Sequence, residues 1–515
     1  MLIVADLSGI QEYLFQVREV GGKQARSLRF RSFFIQLVSE AIAIRLLHAT
    51  GLQEKHIIIS AAGKIAIDGS GLTRETLSHV HDEARTIELW LRDNTHARLR
   101  VNIICHDGRD ASMPEQYLAA GHALRNSKLR GWSRIAASSD GWQSSALLAT
   151  APPDPDAEAD RDAVLGRQLA QSSNRYIVFE NSKTSHLTGE NWDVAGLRAR
   201  FMQHAPTTDT GHYARQLDRL ARHVPRDNGE AIEFVDLAKR SRGAPMLAVL
   251  KADVDSLGQA ITERLRNAAN LEPLRNISNR LDNFFAHKLD RLMASDPQWK
   301  LLYTVFSGGD DLLLVGPWNT ALDFAGHLHA QFMEQFRNDG LTLSAGVAIV
   351  KPKFPIRLAV QQAEQLLEQA KSGMKNQCAA LGSLWSWKHH NTIIRAADRL
   401  AAWVDQGIAQ RGWLHKILQL ALLRRGKAGP EYASLHPTIA TSRLAYHVGR
   451  NWPTKSDQPH GDQQQMQNDA RAWIDAVLRE FDQYESTHDV DTIHLPAIVR
   501  YAMLATRTGD SGESQ

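Results

Sequence analysis

The chain has 515 residues, with 60 Lys and Arg against 57 Asp and Glu, for a formal net charge of +3. At roughly 150 residues per domain, that length predicts three or four domains. The charge balance leaves no whole-chain electrostatic footprint, so any polyanion site must be local. Two cysteines, Cys105 and Cys378, exclude a disulfide framework and a four-cysteine zinc ribbon, and they fit a reducing, cytoplasmic compartment. No basic leader and no run of 18 or more apolar residues is visible, so no membrane partner is expected.

Along the chain, Leu2 to Ala5 is a short apolar run ending in Asp6, the pattern of a buried strand. A helix over Phe30 to Leu47 follows. Then His56–Ser60 and Lys64–Ile67, joined by Ala61-Ala62-Gly63, read as a hairpin. A helix over 73–93 and a strand over 98–105 complete this block. From 109 to 240 the pattern weakens. APPDPDAEAD (151–160) reads as a linker, Arg175–Glu180 as one strand, and the rest as mostly polar and helical. Met246–Ala252 is again an apolar strand, ending in Asp253. Helices over 256–294 follow, then a hairpin of Lys300–Phe306 and Asp311–Val315 around Ser307-Gly308-Gly309-Asp310-Asp311. A helix (320–337), a strand (341–350) and a helix (356–373) come next. Residues 385–505 read as helical, with Trp403, Leu414 and Leu418 as core, and the tail TRTGDSGESQ as disordered.

The two well-patterned regions share an order of elements and an offset. Asp6 and Asp253 are 247 positions apart, as are Ser60 and Ser307, and Gly69 and Gly316. The expected fold class is therefore α+β, with two ferredoxin-like units, a mostly helical intervening region and a helical C-terminal region. The boundaries fall at 1–108, 109–242, 243–384, 385–505 and a tail of 506–515. The copies differ at the second turn, which is Gly-Gly-Asp-Asp where the first has Ala-Ala-Gly-Lys. The first copy reads as degenerate and the second as active.

Phosphoryl and nucleotidyl transfer need positioned metal ions more than covalent help from the protein. Mg²⁺ prefers a few carboxylates plus water and phosphate oxygens. Asp253, Asp310 and Asp311 would supply those carboxylates. Gly308 and Gly309 would let a triphosphate approach the backbone, and Ser307 would add a hydroxyl. Lys371 and Lys375, four apart on one predicted helix, would hold the triphosphate. The alternatives are an acidic surface hairpin for the carboxylates, a solvated helix end for the lysines, and a helix N-cap for Asp255.

KADVDSLG (251–258), SGGDD (307–311), SAGVAIVKPKFPI (344–356) and AEQLLEQAKSGMKN (363–376) resemble the second palm domain of the large, Csm-type subunit of type III CRISPR effector complexes. DLSGIQEYLF (6–15), RSLRFRSFFIQL (26–37) and SAAGK (60–64) are similar to that subunit's first palm, and SRLAYHVGRN (442–451) to its C-terminal helical domain. GGDD alone would not separate this family from GGDEF diguanylate cyclases. The resemblance implies synthesis of cyclic oligoadenylates from ATP with Mg²⁺ or Mn²⁺, triggered when guide RNA pairs with target RNA. It implies metal binding by Asp253, Asp310 and Asp311, phosphate binding by Lys371 and Lys375, and nucleotide contact by Ser307. The first palm would bind the second ATP without metal ligands. Implied partners are the crRNA-bound subunits of the complex, including the subunit at the guide 5′ end and the small helical subunit, and target RNA.

Many relatives begin with an HD nuclease domain, whereas this sequence starts at the palm. Its His81-Asp82, His106-Asp107 and His488-Asp489 pairs lack an HD scaffold, so no DNase activity is expected. The cysteine zinc site of many relatives is also absent. Arg26, Arg29 and Arg31 read either as contacts to guide RNA or a neighbouring subunit, or as an exposed helix face. Two other functions compete with oligoadenylate synthesis: a stand-alone GGDEF-like nucleotide cyclase, and a non-catalytic scaffold of the complex.

Overall fold

The computed structural model describes residues 1–15, 24–61, 63–108, 111–129, 162, 176–181, 191–204, 213–216, 222–424, 436, 439–451, 462–482 and 494–507. The expected linker at 151–160, the pair His488-Asp489 and the tail from 508 onward lie outside them.

The chain forms two compact units, each drawn from separate stretches. The first comprises 1–234, 256–314 and 355–357, and the second 235–255, 315–354 and 358–515. In the first unit, β1 (Leu2–Ser8), β2 (Ile57–Ala61), β3 (Lys64–Asp68) and β4 (Arg100–His106) make one sheet in the order β2-β3-β1-β4. All three pairings are antiparallel, and Asp6 lies opposite Lys64 on β3 and Asn102 on β4. β1 is buried on both faces, which is why its sequence is an apolar run rather than an alternation. Leu2, Val4, Ile58 and Ala66 pack on one face with Ala120, Leu265 and Leu274. These last come from the helices Met113–Lys128, Leu257–Arg266 and Glu272–Asp282.

Between 109 and 242 the described residues carry more strand than the polar sequence suggests. β5 (Tyr176–Asn181), β6 (Asn191–Val194), β7 (Leu197–Met202) and β8 (Tyr213–Gln216) form an antiparallel sheet in the order β6-β7-β5-β8. β5 overlaps the strand expected at Arg175–Glu180, whereas β6, β7 and β8 span only four to six residues each and carry no strong period of two. A ribbon of β9 (Arg226–Asp227) and β10 (Glu230–Ala231) follows. The core of this region is aromatic: Trp192 meets Phe30, Phe33 and Phe201 edge-on at ring separations of 5.7, 5.9 and 5.1 Å.

The second copy repeats the first. β11 (Leu247–Val254), β12 (Tyr303–Gly308), β13 (Asp311–Pro317) and β14 (Leu343–Val350) run in the order β12-β13-β11-β14, extended by β15 (Gln377–Ala380) and β16 (Ser383–Ser386). The boundary between the units passes through β13, after Leu314. In the second unit β11 pairs antiparallel with β14, and β14 pairs parallel with β15. The helix Ile356–Lys371 lies so close to β14 that a Cβ on Gly346 would stand 2.4 Å from Ala363 O and Leu367 N. The other described residues of the second unit are mostly helical. Trp403 and Leu414 are buried as expected, and Trp403 packs on Trp473 at 5.6 Å.

The helix Gln24–Thr50 is long and apolar enough to cross a membrane by length and composition, yet 67% of its most apolar window is buried inside the protein. Its arginines fit neither an RNA-contacting nor an exposed face. Arg31 is buried, donating to Asp162 Oδ2 at 2.6 Å and to Tyr13 O at 2.8 Å. Arg26 is paired with Glu230, and burial lowers the Arg29 guanidinium to about 10, aided by Arg226. The sequence hides this because the acids that Arg26 and Arg31 face lie more than 130 residues away.

Candidate active site

In the second unit, Lys251 and Asp253 project from the same face of β11, two residues apart. The helix Ile356–Lys371 covers that face, and both residues find a partner on it. Lys251 pairs with Glu364, and Lys371 Nζ contacts Asp253 Oδ2. Burial, then the Lys251 and Lys375 ammonium groups, pulls the Lys371 amine down to about 8. So Lys371 sits in a patch crowded with positive charge, with one carboxylate directly against it.

The helix stops at Lys371, so Lys375 does not share a helical face with it. Instead Lys375 and Asn376 both adopt left-handed backbone, with φ of 56° and 52°. Asp255 holds this loop. It accepts hydrogen bonds from Thr342 Oγ1 at 2.7 Å, Ser344 Oγ at 2.8 Å and Asn376 N at 3.0 Å. It is therefore no N-cap: the helix Leu257–Arg266 starts after Ser256, and Asp255 ties β14 to the lysine loop. His329 Nε2 meets Asn376 Oδ1 at 2.9 Å, and burial lowers that imidazole to about 4.

In the first unit, Gly309 and Asp310 form the two-residue turn between β12 and β13, with Gly309 at φ 65°. Gly308 is the last residue of β12 and Asp311 the first of β13. Ser307 is fully buried. Its hydroxyl donates to Phe285 O at 2.6 Å, and its carbonyl accepts from Arg222 Nε at 2.9 Å. The hydroxyl proton is thereby committed to the turn's support, while its oxygen keeps its acceptor lone pairs.

The first hairpin contributes a residue that composition alone did not flag. Lys64 Nζ lies 3.7 Å from Asp310 Oδ1. Burial works to lower the Lys64 amine, but Asp310, Asp6 and Asp311 outweigh it, and the net shift is upward. Lys64 stands 247 positions before Asp311, so the repeat itself marked the position. Asp6 is buried and engages Lys128. Asp6, Lys64, Tyr117, Lys128, Arg266 and Asp310 line part of a cavity of about 550 Å³ in this unit, whose remaining lining is mostly apolar.

A hard divalent cation suits these donors, because carboxylate oxygens are its preferred ligands. Asp253 and Asp310 each already face a lysine ammonium, so both positions favour cationic charge. Among the described residues, no group of three or more His, Cys, Asp or Glu side chains is gathered as a metal site. His81 and Asp82 lie on the helix Arg74–Thr95, and His106 ends β4.

Comparison with known proteins places both copies. Residues 246–379 match the family description "Cas10/Cmr2, second palm domain", and residues 1–134 match "Csm1 subunit domain B". A Cas10/Csm1 single-strand-specific deoxyribonuclease of subtype III-A from Mycobacterium tuberculosis is 24% identical over 435 residues, covering 72% of this chain and 52% of the relative. Its counterpart from Streptococcus thermophilus is 24% identical over 498 residues, covering 87% and 62%. One from Methanocaldococcus jannaschii reaches 32% identity over 154 residues, covering 27% and 19%. The chain thus spans about half to three fifths of the length of the relatives it matches most extensively. A Csm1–Csm4 cassette solved with AMPPNP superposes with a TM-score of 0.69 at 17% identity, over 98% of this chain and 69% of that one. The same cassette with cA4 gives 0.68, also at 17% identity, over 98% and 70%. Matched over 1–134 and 246–379 and in fold, the chain belongs to the Cas10/Csm1 family of type III CRISPR subunits.

Proposed function

We propose that this chain is the nucleotidyltransferase subunit of a type III CRISPR ribonucleoprotein, joining ATP into cyclic oligoadenylates when target RNA is bound. The observation that carries the reading is the pairing of carboxylates and lysines where the family's chemistry would need them: Asp253 with Lys371, and Asp310 with Lys64. Solved Csm1–Csm4 cassettes carry one ATP, pppApA, cA3 or cA4, which supports a palm that elongates and cyclises adenylates.

Asp253, Asp310 and Asp311 hold Mg²⁺ or Mn²⁺. Such an ion, when bound, neutralises phosphate charge and eases deprotonation of the attacking hydroxyl. Lys371 and Lys375 hold the triphosphate, and the bare backbone at Gly308 and Gly309 lets it come close. The cavity in the first unit takes the second ATP, the one offering its 3′-hydroxyl. Its apolar lining suits a base, and Lys64, Lys128 and Arg266 suit phosphates. Ser307 supports the turn from beneath. The partners are the crRNA-bound subunits, among them a Csm4-type subunit at the guide 5′ end and the small helical subunit, together with target RNA in the cytoplasm.

The test is to incubate the assembled complex with labelled ATP, Mg²⁺ or Mn²⁺ and target RNA, and to repeat it with Asp310→Ala/Asp311→Ala. Oligoadenylate should form with the first and vanish with the second. Absence of oligoadenylate, or an unaffected double variant, sinks the reading. Product made by the isolated chain without RNA would point to a stand-alone cyclase.

A further inference from the structure

The charges of the C-terminal helices are segregated. The helix Arg411–Arg424 contains Arg411, His415, Lys416 and Arg424 but no acid, and the helix Ile439–Asn451 contains Arg443, His447 and Arg450 but no acid. These two helices pack against each other. Among the described residues from 411 to 482, the acids sit on the next helix, Asp462–Asp482, at positions such as Asp469 and Asp475.

The stripe on Ile439–Asn451 has helical spacing. Arg443, Tyr446, His447 and Arg450 are related by steps of three and four, so they share one face. At 1.5 Å per residue, Arg443 and Arg450 are separated by about 10 Å along the axis. Arg443 and Arg450 are exposed, and Tyr446 is 59% exposed although it is a large aromatic. The ring is held, not loose. Arg450 Nη1 donates to Tyr446 Oη at 2.7 Å, and the His447 ring meets Tyr446 edge-on at 5.5 Å. Lys416, also exposed, adds its charge from the neighbouring helix. The charges that act on His447 are all cationic: Lys416, Arg443 and Arg450.

We infer that this face binds a single-stranded polynucleotide, with Lys416, Arg443 and Arg450 on successive phosphates and Tyr446 as a stacking platform for one base. A row of cations explains attraction to any polyanion, but a fixed, exposed aromatic within it singles out a strand whose bases are unpaired. A duplex hides its base faces. The contacts reach phosphate and base plane only, so the face reads neither sequence nor sugar. The inference rests on charge pattern and exposure, not on the acidic turn, so it stands or falls separately from ATP chemistry. It also reconciles a net charge of only +3 with a nucleic-acid partner, since the positive charge is local.

The probes are fluorescent 20-mers of oligouridylate and oligothymidylate, and a 20-base-pair DNA duplex. Each is titrated against the full chain by anisotropy between 50 and 200 mM salt. The two single strands should bind within about threefold of each other, and the duplex more weakly. Lys416→Ala/Arg443→Ala/Arg450→Ala should lose about tenfold in affinity and flatten the log–log salt slope by about 2, at 0.7 per single-strand phosphate. Tyr446→Ala should lose fivefold or more with the salt slope unchanged. Tyr446→Phe keeps the ring and should bind like the wild type. A denaturation midpoint equal to that of the wild type reports that the Tyr446→Ala fold is intact. Equal affinity of wild type and triple variant, tighter binding of duplex, or no binding of either single strand overturns the proposal. Loss of oligoadenylate activity with strand binding intact would count against the ATP reading alone.

Discussion

Lys64 Nζ lies 3.7 Å from Asp310 Oδ1, and Lys64 occupies in the first hairpin the repeat position that Asp311 occupies in the second. Sequence comparison of the two turns reads this lysine as the loss of an acid. In the structure it is a counter-charge: Asp310, Asp6 and Asp311 all stabilise its ammonium. The copy without the acids therefore supplies a cation to the turn that carries them.

A lysine in that place competes with a divalent cation for Asp310. Its side chain is 60% exposed, so the competition is limited by solvent screening to about 1 kcal/mol, or up to about fivefold. Lys64→Met should tighten binding of Mn²⁺ to the nucleotide-free chain two- to fivefold, read from the free-Mn²⁺ EPR signal. Lys64→Arg should leave it near wild type. Weaker Mn²⁺ binding by Lys64→Met would contradict the competition.

Asp255 is expected to act through the fold rather than through a ligand. Its two oxygens accept from two hydroxyls and one backbone N–H, and its side chain is buried. Asp255→Ala leaves three donors unpaired, at about 1 kcal/mol each. The denaturation midpoint should fall by an amount worth about 3 kcal/mol. Asp255→Asn keeps one oxygen and an amide that the Ser344 hydroxyl can rotate to meet. It should recover most of the loss in stability and in ATP KM. An Asn variant as inactive as Ala but fully stable would instead make Asp255 part of the chemistry.

The parts of this fold that were legible in the sequence are those with strong local patterning. β1 and β11 are apolar runs capped by Asp6 and Asp253, and Gly309 marks its turn because a non-glycine there would be strained. The sheet order β2-β3-β1-β4 recurs as β12-β13-β11-β14, as the shared offset implied. What stayed hidden depends on partners remote in the chain. Arg31 looks solvent-facing until Asp162 is beside it, and Asp255 looks like a cap until Thr342 and Ser344 arrive. The lysine pair was misplaced by the helix end: an i, i+4 rule cannot see that the chain leaves the helix after Lys371.

The Arg31–Asp162 pair makes the burial argument testable. Both side chains are almost fully enclosed, at 1% and 0% exposure, with a 2.6 Å contact. Removing one partner leaves an uncompensated buried charge, which costs about 3 to 5 kcal/mol. Arg31→Met and Asp162→Leu should each destabilise the first unit by that order. The double variant should regain most of the loss, because two well-packed apolar side chains need no counter-charge. Denaturant titration of all four proteins measures the coupling. Additive losses would show that the two charges do not sense each other.

Asp323 predicts a pH dependence with a definite sign. Burial, then the neighbouring Asp398 carboxylate, raises it to about 7, against an opposing pull from Arg242. Asp398 is occupied, accepting from Arg242 Nη1 at 2.6 Å and Tyr501 Oη at 3.0 Å, so it keeps its negative charge toward Asp323. The folded state thus binds a proton at Asp323 that the unfolded state has already released. Between the unfolded value, near 3.8, and the folded value, near 7, the native chain holds more protons. Stability from this group is therefore present below about pH 4, falls as pH rises to 7, and stays low above it. Asp323→Asn carries no charge at any pH and should remove this loss. Its gain over wild type should be near zero at pH 4 and reach a few kcal/mol at pH 8, at about 1.36 kcal/mol per pH unit. Chemical denaturation of the second unit at pH 4, 6 and 8 measures the gap. A gap of equal size at all three values would mean that the substitution acts through packing and not through the proton.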